Sequence, residues 1–365
     1  MRSAKTLIAV TLLSLSSYMS ASAQLMNHPE SIVYDSERDR YLVSNWDSGD
    51  MIQIDSDGVQ DYFIVNQFCY AGMQIIGDVI YVSGRDQGVR GFDLETGQQV
   101  MHVILPGSAM LNDMTSDNQG YLYVSAPNAN QIYKIDPITG NWSTFVSSGV
   151  SSPNGLYFDE PHNRLLLVSS RNSSPLQAIS LADSSVSVIA YTGLSILDGL
   201  TMDSQRNIYF SSWNSNAVYK YDSTFTNPPE QVSVHSPSPA DIFFNTDQNV
   251  LAVPVFYGNY IDFVEVSPTS PVYSEVSRPY EMSIRNYPNP FNSSTAIIYH
   301  LDFPSDISID IYDMLGRKVE TIFSGFQSIG VHRENWNAED ASSGAYYLSV
   351  QANGNSVYKK IMFLK

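Results

Sequence analysis

The sequence predicts an all-β chain, a six-bladed β-propeller followed by a small immunoglobulin-like β-sandwich. Three observations predict it. Past the N-terminus, none of the 365 residues belongs to a stretch that sustains apolar residues at helical spacing, whereas short alternating runs rich in Tyr, Val, Ile and Phe recur between polar turns. An eight-residue frame occurs six times, as HPESIVYD (28–35), CYAGMQII (69–76), MLNDMTSD (110–117), SPNGLYFD (152–159), ILDGLTMD (196–203) and SPADIFFN (238–245). Its third residues, Glu30, Ala71, Asn112, Asn154, Asp198 and Ala240, lie 41, 41, 42, 44 and 42 residues apart, the length of a four-stranded propeller blade. The repeat then stops near Val272, and strands of another pattern follow.

In chain order, the first element is MRSAKTLIAVTLLSLSSYMSASAQ, with Arg2 and Lys5 before an apolar run and small residues at Ala21 and Ala23. This reads as a secretory signal over 1–23, cleaved after Ala23. The run from Leu7 to Leu15 is far shorter than the ~20 residues of a membrane span, and no later segment is expected to cross a bilayer. Residues 24–275 hold the propeller: each frame is followed by a second strand (RYLVSNW, VIYVSGR, YLYVSAP, LLLVSSR, IYFSSWN, LAVPVFY), and several by a third (MIQID, QIYKID, AVYKYD) and a fourth (DYFIV, WSTFV). A stacked solenoid is the alternative, but short turns between runs read as antiparallel meanders. Residues 276–282 read as a linker and 283–365 as the second domain.

Cys69 is the only cysteine, so an exported chain of this kind rests on a packed core rather than a disulfide, and Cys69 reads as a small buried residue. The net charge is −18 and is concentrated on the propeller region. That excess of acid disfavours nucleic acid and anionic membranes as partners.

The first strand of a propeller blade lines the central channel, so the six frame positions form a ring at one end of it. Asn154 and Asp198, out of place in a buried strand, are then ring residues, and Gly155 and Gly199 after them allow close packing. Glu30, Asn112, Asn154 and Asp198 are hard oxygen donors suited to Ca²⁺ or Mg²⁺ and able to accept Zn²⁺ or Mn²⁺. The alternative is a channel in which these groups bond only to backbone and water. Fourteen to seventeen residues after the ring positions come Trp46, Arg85, Pro127, Arg171, Trp213 and Phe256. They form either a rim for a ring-shaped or partly anionic ligand, or packing between blades.

These segments resemble the SMP-30/gluconolactonase/luciferin-regenerating-enzyme family of six-bladed propellers. Glu30-Ser31-Ile32-Val33-Tyr34 is similar to its first-blade Glu motif, Pro153-Asn154-Gly155-Leu156 to its Asn-Gly motif and Asp198-Gly199-Leu200 to its Asp-Gly motif. The resemblance implies a divalent cation on Glu30, Asn154 and Asp198, substrate contacts from Asn112 and Asp113, and hydrolysis of a lactone or related ester with Asp198 as general base. Where family members with sugar-lactonase activity carry Arg two residues before the blade-three Asn, this chain has Met110. The rival expectation is a non-catalytic propeller that captures a glycan or protein and uses the cation structurally.

The tail carries NYPNPFNSSTAIIYHL, ISIDIYDMLGRKVETI, ENWNAEDASSGAYYLSV and YKKIMFLK, alternating strands between Pro, Asn and Gly turns that suggest about seven strands. Read alone, it could be an adhesive immunoglobulin-like module. Its Y-P-N-P-F-N start, I-Y-D-x-L-G-R-x-V centre, S-G-x-Y-Y segment and basic-hydrophobic end resemble the C-terminal sorting domain of type IX secretion. That resemblance implies the type IX machinery as a partner, and passage through the periplasm and outer membrane of a bacterium to the cell surface or beyond.

Overall fold

A computed structural model describes residues 25–107, 110–266, 284–301, 305–327, 330–338, 341–352 and 355–365. The expected signal at 1–23 and linker at 276–282 lie outside these residues. The chain is all-β: six sheets radiate from a channel, and a two-sheet sandwich follows.

Each blade is an antiparallel meander running outward in sequence order. The inner strands are Pro29–Asp35, Met73–Ile76, Met114–Ser116, Pro153–Asp159, Leu197–Met202 and Phe243–Asn245. Second strands such as Leu122–Ala126 and Ile208–Ser212 are buried along their whole length, because neighbouring blades cover both faces. Outer strands such as Trp142–Val146 are mostly exposed. The sequence follows this gradient, with near-continuous apolar runs inside and alternating ones outside. One apolar cluster fills each gap between blades. Leu42, Met51, Met73, Val82 and Phe92 fill the first, and Tyr209, Val218, Phe244 and Val253 the fifth. Met26, Ile32, Tyr41 and Ile52 pack on Ala252 and Ile261, joining the sixth blade to the first.

The inner strands are irregular where they start. Their pairing to the second strand shifts at Pro29/Ser31, Pro153/Leu156 and Leu197/Leu200, which pushes Glu30, Asn154 and Asp198 out of the ladder and toward the axis. Serines on the second strands satisfy the backbone freed there. Ser44 Oγ accepts from the Ser31 N–H (3.1 Å) and donates to the Ala71 carbonyl of the next blade (2.8 Å). Ser211 Oγ accepts from the Gly199 N–H (2.8 Å) and donates to the Ala240 carbonyl (2.7 Å). Ser83 donates to the Asn112 carbonyl in the same way.

The tail sandwich pairs a sheet of Ile284–Tyr287, Ser294–Leu301 and Gly330–Asn337 with one of Ser305–Tyr312, Lys318–Gln327, Gly344–Ala352 and Asn355–Phe363. Trp336, Tyr299, Ile309, Leu348 and Phe363 form its core. It meets the propeller at turns of blade 3: Arg285 bonds Asp136 (3.1 Å), in the turn between the third and fourth strands, and stacks on Tyr121 (4.3 Å), in the turn between the inner and second strands, where Ile298 lies against Gly120. Those turns are at the channel end opposite the frame starts. Cys69 is buried, and burial pushes its thiol far above the reactive range.

Inner strands approach one another where the sequence has Gly. A Cβ on Gly155 would lie 2.2 Å from the Asp198 carbonyl oxygen, and one on Gly199 2.3 Å from the Ile242 nitrogen. Gly155→Ala and Gly199→Ala should each cost at least ~1–3 kcal/mol, since neither neighbour is a flexible side chain. Thermal unfolding checks this, and an unchanged midpoint in both variants would refute the close approach.

Candidate active site

At the channel end where the frames start lies a cleft of about 360 Å³. Glu30, Asn112, Asn154 and Asp198 form its floor, each from a different blade. All four are nearly buried, with 3%, 7%, 3% and 4% of their surface exposed, and each keeps one oxygen without a hydrogen-bond partner: Glu30 Oε2, Asn112 Oδ1, Asn154 Oδ1 and Asp198 Oδ1. An orphaned buried oxygen costs roughly 1–3 kcal/mol, so four at one point ask for a ligand. Among the described residues no three His, Cys, Asp or Glu side chains are grouped for a metal, so a cation here is held by carboxylates and amides together. Four oxygens and no nitrogen or sulfur fit a hard divalent ion, whose remaining positions stay open to water or substrate.

The electrostatics agree with that fit. Burial, then Asp198, Asp241 and Asp113, raise the Glu30 carboxyl well above its usual range. Burial and Asp241 push Asp198 up to about 7, against the opposing influence of Trp213 and Asn154 beside it. Asp113 and Asp241 lie under the ring. Asp113 is raised by burial and by Asp241, and its oxygens accept from the Met114 N–H and, across the blade gap, the Leu156 N–H, both at 2.6 Å. Asp241 accepts from Ser31 Oγ (2.6 Å), while its N–H donates to the Glu30 carbonyl (2.9 Å). Four buried like charges favour neutral forms or a neighbouring cation.

Left-handed residues set the walls. His28, Ile196 and Ser238 stand two places before ring positions at φ of 53°, 53° and 63°. Their carbonyls accept from the N–H groups of Trp46, Trp213 and Phe256 (2.9, 3.0 and 2.9 Å), which holds those three rings over the floor. In blade 4 the carbonyl of Ser152 takes the N–H of Ser170 instead, so Ser170 lines the cleft and Arg171 points outward, exposed. Arg85 also lies outside the cleft, stacked on Trp46 (4.8 Å) with its guanidinium bonded to the Trp46 carbonyl. Of the sequence candidates, then, Glu30, Asn112, Asn154, Asp198, Trp46 and Trp213 come together. Asp113 sits below them with both oxygens engaged by backbone, and Arg85 and Arg171 stand apart.

Asp241 is the residue that the frame hid. The third place of its repeat is Ala240, buried and apolar, and the carboxylate comes one residue later, as Asp113 does after Asn112. The fourth places, Ser31, Gly72, Asp113, Gly155, Gly199 and Asp241, form a second layer in which three carry inter-blade side-chain bonds and three are glycines in close contact with the next blade. Tyr257, which completes the wall around Phe256, carries no periodic signal, and His28, at the first place of its frame, is an aromatic ring that the other frames lack there.

The model of the SMP-30/gluconolactonase/LRE-like region matches residues 28–253, and that of a secretion system C-terminal sorting domain matches 285–364. No curated protein matches the sequence. Among solved structures, a gluconolactonase from Xanthomonas campestris superposes with a TM-score of 0.57 at 14% identity, over 65% of this chain and 86% of that one. Regucalcin from Agrobacterium tumefaciens, a calcium-binding protein, gives 0.54 at 19% identity, over 64% and 84%. A catalytically inactive virginiamycin B lyase from Staphylococcus aureus, crystallised with quinupristin, gives 0.51 at 14% identity, over 65% and 80%. At these identities the likeness is one of fold.

Ser31 links the sixth blade to the first directly beside Glu30. Ser31→Ala leaves Asp241 without that donor and should cost ~1–3 kcal/mol. Ser204→Ala, on an exposed turn, should change stability by less than about 0.5 kcal/mol. Paired thermal melts decide it, and equal midpoints for the two variants would show that the bond carries no weight.

Proposed function

The chain belongs to the SMP-30/gluconolactonase/LRE-like family, and from that premise we propose that it is a cation-dependent hydrolase of lactones or related esters. One observation carries the reading: the four buried, unpartnered oxygens of Glu30, Asn112, Asn154 and Asp198 converge on the floor of one open cleft. Glu30, Asn154 and Asp198 would hold the ion, with Asn112 beside them. An all-oxygen set favours calcium, then magnesium or manganese, over zinc. When bound, the ion supplies Lewis-acid polarisation of the scissile carbonyl.

The chain's own residues supply the rest. Asp198 is the general base, a buried carboxylate at the floor of the cleft; burial and Asp241 bring its carboxyl to about 7 while no ion is bound, and an ion held by it would lower that value. Trp213 and Asn154 flank it and favour its charged form. Asn112 hydrogen-bonds Glu30 and favours its ionised state against burial. Trp46, Trp213 and Phe256 wall the floor from bulk water, which strengthens each of these interactions.

The C-terminal sorting domain marks the chain for secretion to the cell surface or the exterior. We take the route to run through the periplasm with the type IX machinery as partner. Acidic composition leaves nucleic acid out of the set of partners.

Calorimetric titration with calcium and with zinc, followed by a panel of lactones and esters, tests the reading. One ion should bind, calcium in preference to zinc. Asp198→Ala should weaken it at least ~30-fold, by removing one of two ligating charges, and a chelator should abolish hydrolysis. If neither ion binds, the ring is a hydrogen-bonded channel and the hydrolase reading falls. Ion binding without turnover on any substrate would leave a binding propeller with a structural cation.

A further inference from the structure

We propose that the cleft selects an uncharged lactone or ester carrying an apolar, preferably aromatic, ring, and discriminates against anionic and polyhydroxylated ones. The identity of the bond cleaved rests on the hydrolase reading above; the preference in binding does not.

Three features of the walls carry this. The first is an aromatic surface continuous across blades 5, 6 and 1. Trp213 and Phe256 have centroids 5.0 Å apart, Phe256 and Tyr257 5.0 Å, and Trp46 and Phe256 6.3 Å. His28 stacks behind Phe256 at 4.8 Å. Met110 and Ile196 add apolar surface to the same cleft, so a flat apolar ring can lie on carbon over much of its surface.

The second feature is charge. Among the described residues no Lys or Arg lines the cleft, and three carboxylates do, those of Glu30, Asp47 and Asp198. A divalent ion at the floor offsets two of the three, which leaves the cleft negative toward an incoming anion. Arg85 is stacked on Trp46 and Arg171 faces solvent, so neither guanidinium lines the cleft.

The third is the scarcity of hydrogen-bonding groups above the floor. His28 Nδ1 and Asp47 Oδ2 are bonded to each other (2.7 Å), so the walls offer chiefly the second nitrogen of His28, the second oxygen of Asp47, Ser170 and the Tyr257 hydroxyl. A polyhydroxylated ring would lose more bonds to water than these walls return. The indole Nε1–H of Trp213 lies beside Asp198 and favours its charged form, so this donor at the floor serves the site's own carboxylate and not a substrate hydroxyl.

Lactams test binding apart from turnover, since they resist hydrolysis. With calcium present, calorimetry would compare 6-phenylpiperidin-2-one, gluconolactam and 6-oxopiperidine-2-carboxylate on the full chain, and the corresponding lactones would be assayed in parallel. The phenyl lactam should bind at least roughly tenfold more tightly than either other. Phe256→Ala should remove most of that preference, and Met110→Arg should raise affinity for the carboxylate, with a calcium titration of each variant reporting an intact floor. Gluconolactam or the carboxylate binding as tightly as the phenyl lactam overturns the proposal, as does a phenyl preference that survives Phe256→Ala. Phenyl lactam binding with no turnover of the phenyl lactone supports this proposal and defeats the hydrolase reading. Hydrolysis with gluconolactone preferred does the reverse.

Discussion

The structure depends on how the chain satisfies backbone at the start of each inner strand. To aim Glu30, Asn154 and Asp198 at the axis, the inner strand must leave its ladder, and that frees buried N–H and C=O groups. A hydroxyl is the smallest side chain that can accept from one strand and donate to another. Ser44 and Ser211 do both: each takes the freed N–H of its own blade and gives its proton to the next blade's ring carbonyl. The bond that makes the ring possible is therefore also a bond between blades. A site built this way can be altered at the ring residues without unfastening the propeller, because the clasp uses backbone and serine alone.

The same arrangement explains why floor and walls come as one unit. Left-handed residues at His28, Ile196 and Ser238 turn the chain into the ring, and their carbonyls fix Trp46, Trp213 and Phe256. Ile196 is a β-branched residue at positive φ, a conformation that costs of order 1–3 kcal/mol and persists only where surroundings hold it. Here they do, since its carbonyl takes the Trp213 N–H and its own N–H donates to the Arg171 carbonyl. In blades 1 and 5 the oxygen donor beneath and the aromatic ring above are thus set by adjacent links of one chain.

Much of this was legible in the sequence because a repeat turns six weak signals into one. No single Asn-Gly or Asp-Gly pair identifies a ring, but residues spaced 41 to 44 apart do. What escaped was whatever broke the count by one residue. Asp241 follows its frame position instead of occupying it, and in blade 4 the residue that matches Trp46 and Phe256 in spacing is Ser170, one place before Arg171, so that Ser170 meets the cleft. Arg85 was unreadable for another reason: a guanidinium can point into a cleft or lie flat on the back of a Trp, and only the fold decides. In the tail, seven strands followed from alternation and turn residues, since a sandwich core needs little more than period-two patterning.

The two ends of the channel carry different functions, and the inner strands' direction separates them. The ring lies where those strands begin, while the sorting domain touches the other end of blade 3, through Ile298 on Gly120 in the turn where its inner strand ends and Arg285 on Asp136 in the turn after its third strand. Its contacts leave the cleft uncovered, so access to the floor does not require the tail to leave. A protein exported with an acidic cleft open to the medium also meets divalent cations there, with no disulfide available to rigidify it in transit. The six apolar clusters between blades and the serine bonds near the axis have to supply that rigidity. Four buried oxygens left unpaired at the floor are tolerable only in a frame so constrained, because a looser ring would relax until each found a partner.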